Sequence, residues 1–143
     1  MLLTFTVSPV AAASLHITVN APDKVGKNLV YEIREKIATS ARNKLVIDEN
    51  DAAFGLKIVT IDPDDESNRT VYSLTLTMKQ LAKDDSFDYY ITSWVGVCGS
   101  SKTTSCASTL AADIDSEIQP IVEIFLKNLK KSNLEKGGKE PIF

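Results

Sequence analysis

Thr70-Val71-Tyr72-Ser73-Leu74-Thr75-Leu76-Thr77-Met78 is the passage that decides the fold. From Tyr72 onward apolar and polar residues alternate, the period of a strand with one buried face. Tyr72, Leu74, Leu76 and Met78 point one way, and Ser73, Thr75, Thr77 and Lys79 the other. Downstream, Phe87–Val97 alternates in the same manner. Simple alternation puts Phe87, Tyr89, Ile91, Val95 and Val97 on one face and Tyr90, Thr92 and Trp94 on the opposite one. Two long half-buried strands in succession predict an antiparallel sheet with one apolar side.

Working outward, Leu56–Ile61 is a further β run, closed by the turn cluster Asp62-Pro63-Asp64-Asp65-Glu66-Ser67-Asn68. A short strand is predicted at Leu45–Asp48, followed by an acidic turn at Glu49-Asn50-Asp51. Before it, Val25, Leu29, Ile33, Ile37 and Ala41 recur every fourth residue, so an amphipathic helix is expected over 24–43. Leu15–Val19 alternates as the first strand. After Val97, the spacing of Ala107, Leu110, Ile114, Ile118, Ile121, Val122, Phe125 and Leu129 marks a long second helix. Pro120 should kink or split it, since proline lacks a donor and its ring displaces a carbonyl. The order β-α-β-β-β-β-α predicts an α+β fold: a two-layer sandwich, its mainly antiparallel sheet of four to five strands covered on one face by two helices. The domain is expected at 14–131, with a flexible charged tail at 132–143.

The chain has 143 residues and a net charge of −3, with apolar residues at 43%. That suits one domain with a real core. An acidic chain offers no footprint for nucleic acid, and no apolar run reaches the length of a membrane span. Met1–Ala13 resembles the end of a signal peptide, with a short apolar run and small residues at Ala11 and Ala13, although a basic start is missing. The alternative is an edge strand at Leu3–Val7. Export makes Cys98 and Cys106, eight residues apart, an expected disulfide that clips the last strand to the last helix. In a reducing compartment they would be two free thiols.

The passage Lys44-Leu45-Val46-Ile47-Asp48 followed by Asp51-Ala52-Ala53-Phe54-Gly55-Leu56-Lys57-Ile58 resembles small periplasmic β-α-β-β-β-α domains, such as the N-terminal domain of TolB and related envelope accessory lipoproteins. Element order extends the resemblance over about 14–128. The sequence departs from that pattern at Phe54-Gly55, where an acidic-aromatic pair is usual, and it lacks a lipid-attachment cysteine. The resemblance implies an envelope accessory domain, and it carries over no functional residue.

Residues with chemical potential are few. His16 is the single histidine, so any histidine-based triad would have to use it. Strand alternation reads it instead as a solvated residue. Asp62, Asp64 and Glu66 alternate as in a calcium loop. Ser67 replaces the glycine such a loop needs, and Ser73 stands where the bidentate glutamate belongs, so no metal is expected. Acid pairs at Asp84-Asp85 and Asp113/Glu117 read as solvated, and Asn68-Arg69-Thr70 is a glycosylation sequon. Ser100, Ser101, Lys102 and Thr103 precede a helix N-terminus and form an expected anion-binding loop. Tyr90, Thr92 and Trp94 form an expected aromatic binding surface, because aromatic residues are enriched at interface hot spots. The sequence therefore predicts an exported, non-catalytic binding or accessory domain without a cofactor. Its expected partner is an envelope protein, a glycan or a second copy. The alternatives are an inhibitor of a foreign enzyme and a small hydrolase.

Overall fold

The computed structural model describes residues 12–81 and 86–135. Residues 1–11 of the expected leader, the Asp84-Asp85 pair and residues 136–143 of the expected tail lie outside the described residues. The elements in chain order are β1 (Ala13–Asn20), α1 (Lys24–Ala38), β2 (Asn43–Leu45), β3 (Phe54–Ile61), β4 (Arg69–Leu81), β5 (Ser86–Gly99) and α2 (Thr103–Glu135). Glu49–Asp51 forms a short 3-10 turn before β3, with the Asp48 side chain accepting from the Asn50 N–H.

The sheet runs β2-β1-β3-β4-β5, with two helices on one face. It is an α+β sandwich, and the sheet is mixed. β1 pairs in parallel with both β2 and β3, while the longer ladders, β3 with β4 and β4 with β5, are antiparallel. Parallel strands need a crossover between them, and α1 supplies it for β1 and β2. The core lies between the layers. Leu15, Phe54, Leu56, Ile58, Leu74 and Leu76 from the sheet meet Leu29, Ile33 and Ile37 of α1 and Leu110, Ile114 and Ile118 of α2. Each buried aliphatic side chain contributes roughly 1.5–3 kcal/mol.

Several boundaries differ from the sequence expectation for local reasons. α1 stops at Ala38, five residues early, where the Thr39 N–H and hydroxyl both bond back to the Glu35 carbonyl and close the helix. β2 moves forward to Asn43–Leu45, because it must pair with Ala13–Leu15. Pro120 does not split α2, which is one helix through Glu135, so residues 132–135 of the expected tail are helical. Ala13, the last residue of the expected leader, is the first of β1: it is buried, and its N–H bonds to the Arg42 carbonyl.

One polar cluster ties α1 to the middle of the sheet. Asp23 caps α1 by accepting from the Gly26 N–H at 2.8 Å, and it also accepts from the Thr60 hydroxyl. Burial pushes the Asp23 carboxyl up, but the Thr60 and Thr70 hydroxyls and the Gly26 N–H together hold it below the ordinary value. Gly26 is required there, since a Cβ would fall 2.0 Å from Thr60 Oγ1.

Candidate functional site

β5 departs from simple alternation, and that departure shapes the site. Leu76 pairs with Thr92 but Thr77 pairs with Tyr90, so Ile91 is an extra residue in a β-bulge. Beyond the bulge the faces exchange. Trp94 lies opposite the fully buried Leu74 and packs against the core, while Val95 is 75% exposed on the uncovered face of the sheet. Below the bulge, Tyr90 lies opposite Thr77 on that uncovered face and is 66% exposed. The expected Tyr90, Thr92 and Trp94 stripe is therefore broken. Thr92 and Trp94 share the helix side, and Tyr90 stands on the other. Its hydroxyl is 3.0 Å from Ser93 Oγ.

The cysteines pair as expected: the Cys98–Cys106 disulfide joins the end of β5 to the first turns of α2, with Cα atoms 6.4 Å apart. The segment between them is a tight turn, with the Lys102 N–H bonded to the Gly99 carbonyl and the Ser100 N–H to the Asn68 carbonyl. Ser100 and Ser101 are exposed in that turn, and Thr103 is half-buried at the start of α2. Lys102 is exposed where the turn enters α2.

A cleft of about 500 Å³ opens between β5 and α2, lined by Tyr72, Ser93, Trp94, Val95, Lys102, Ser105, Cys106, Thr109, Leu110 and Asp113. Its α2 wall is one continuous helical face, since residues three and four apart are neighbours on a helix. The hydroxyls of Ser105 and Thr109 lie along it, between Lys102 and Asp113. Its β5 wall contains three consecutive residues, Ser93, Trp94 and Val95. Consecutive strand residues point to opposite faces, so a cleft touching all three reaches the outer edge of the strand. Tyr72 enters the cleft because its partner in the ladder is Gly96: a Cβ there would lie 2.4 Å from the Tyr72 hydroxyl oxygen. The phenol ring therefore lies across β5, over the glycine.

Two residues chosen from the sequence for separate reasons, Trp94 and Lys102, thus meet in one cleft. Tyr72, Ser105, Thr109 and Asp113 were not foreseen. Gly96 was the available signal for Tyr72, because a glycine inside a strand marks close approach by a neighbour.

His16 lies elsewhere. It lines a smaller concavity of about 270 Å³ on the uncovered sheet face, with Glu49, Lys57, Thr75, Thr77, Lys79 and Asp88 around it. Lys79 Nζ donates to the Glu49 carbonyl at 2.8 Å. Among the described residues, no hydrogen bond joins His16 to an acid or a hydroxyl. In the Asp62–Asn68 turn, Asp62 accepts from the Asp64 and Ser67 N–H groups, which hold its carboxyl below the ordinary value, and Arg69 pairs with Asp64. Among the described residues no three potential metal ligands cluster.

No family model matches the chain, and no curated protein matches it. Among solved structures it is similar to the hypothetical protein CT253 from Chlamydia trachomatis, at 10% identity and a TM-score of 0.41, over 62% of this chain and 73% of that one.

Proposed function

We propose that this chain is an exported, non-catalytic binding or accessory domain that recognises its partner in the cleft between β5 and α2. One observation carries the reading: two aromatic side chains, Trp94 and Tyr72, and a cation, Lys102, line the same cleft beside a strand edge that has no strand partner among the described residues. Aromatic side chains supply contact area at low entropic cost, and a lysine adds charge recognition at the rim. The disulfide supports an oxidising compartment, and the likeness of residues 44–58 to envelope domains supports an envelope partner. The alternative reading, a small hydrolase, would use His16, which lies apart from this cleft.

The test is retention of envelope components on immobilised protein. Wild type should retain a component that Trp94→Ala and Lys102→Ala both lose, with melting temperature changed by no more than a few degrees for Lys102→Ala. Equal retention by all three proteins rules the cleft out.

A further inference from the structure

We propose that the occupant of this cleft is an extended peptide, added as a sixth strand along the outer edge of β5. The inference rests on the cleft being the binding site and goes beyond it by naming the chemistry of the partner.

The first argument is the edge itself. Among the described residues β5 pairs with β4 alone, so alternate N–H and C=O groups on its other side lack a strand partner. Sheet edges are usually guarded by lysine, proline, a bulge or extreme shortness. β5 has its bulge at Ile91, and the stretch after it, Thr92–Gly99, contains no charged residue and no proline. The cleft touches that unguarded stretch at Ser93, Trp94 and Val95. An edge strand flanked by a helix is a recurring receptor for extended peptides: the backbone ladder gives affinity, and alternate side chains enter the groove.

The second argument is the match of spacing and charge. Lys102 and Asp113 stand at the two ends of the α2 wall, eleven residues apart, or about 16 Å along a helix axis. An added strand covers that distance in about five residues, of which the first, third and fifth face α2. Tyr72, Trp94 and Leu110 form the apolar middle of the cleft. The segment that fits carries an acid opposite Lys102, an apolar side chain over Trp94, and a base opposite Asp113. Lys102 follows the C-terminal end of β5, so an antiparallel segment presents the acid first, and a parallel one presents it last. A glycan could use the aromatic platform, but it gains nothing from a bare strand edge or from this alternation.

The experiment uses two capped heptapeptides, TETLTKT and TKTLTET, against the intact oxidised protein. Trp94 is the only tryptophan in the chain and reports occupancy directly by fluorescence. One of the two should bind saturably, and which one gives the strand direction. On binding, alternate amides within Thr92–Gly99 should gain protection from hydrogen exchange. The same peptide N-methylated on its ladder-forming amides should bind about tenfold more weakly or worse. Thr109→Arg, a change on the exposed wall that leaves the core untouched, should also abolish binding. Two results overturn the inference: no saturable signal from either peptide, or equal affinity of the N-methylated form. A chito-oligosaccharide that shifts Trp94 emission while both peptides fail would leave the cleft as the site and remove the peptide. Identical retention of envelope components by wild type and Trp94→Ala would remove the cleft itself.

Discussion

β2 ends the sheet in three residues, and β5 ends it in fourteen. At the β2 edge, Asn43 is buried and donates through Nδ2 to Asp115 Oδ1 at 3.1 Å, while Arg42 pairs with the other oxygen of the same carboxylate. α2 thereby reaches across the core and fastens the short edge with polar contacts. At the β5 edge, a disulfide joins α2 to the strand near the start of the helix, and a cleft opens between the two elements. The two ends of the sheet thus differ in what they expose. A short edge tied by side-chain hydrogen bonds offers little backbone for a further strand, and a long edge offers much more.

The comparison can be broken or sharpened by substitution. The largest effect is expected at β5. Replacing both cysteines, Cys98→Ala with Cys106→Ala, should cost about 2–3 kcal/mol in urea unfolding, from the unfolded-state entropy of a short closed loop. A loss no greater than that of a surface substitution would mean that other contacts hold α2 to β5. Next comes the β2 edge. Asp115→Ala leaves the buried Asn43 amide without its acceptor and should cost about 1–2 kcal/mol. The exposed Arg42 pair adds little to that, so Arg42→Ala should change stability far less. A loss of about 1 kcal/mol, below that of Asp115→Ala, is expected for Gly96→Ala, because the Tyr72 ring must move off β5. Its signature is spectroscopic: the emission of Trp94 should change as Tyr72 leaves the cleft. Unchanged emission would show that Tyr72 does not help to form that surface.

Much of the architecture was legible because periodicity reports burial. The alternation of Tyr72 to Met78 located β4 and its core side, and the stripe from Ala107 to Ile118 located α2. The parallel placement of β1 beside β3 was not legible, since alternation identifies a strand but not its neighbours. The faces of β5 were misread at one residue. Ile91 fits a perfect alternation by type, and only the ladder with β4 shows it as an extra residue. The site was half legible for a related reason. Trp94 and Lys102 stand out by chemistry, whereas Tyr72, Thr109 and Asp113 acquire meaning only when α2 is laid along the strand.

The bulge also separates two stretches of β5 in mutational terms. Because Ile91 absorbs one residue of phase, Phe87, Tyr89 and Tyr90 belong to one reading frame of the sheet and Trp94, Gly96 and Cys98 to another. Losing or gaining a single residue at this point would exchange the faces of the outer stretch alone. The hairpin end of the strand can therefore drift in length and composition while the segment that lines the cleft keeps its register.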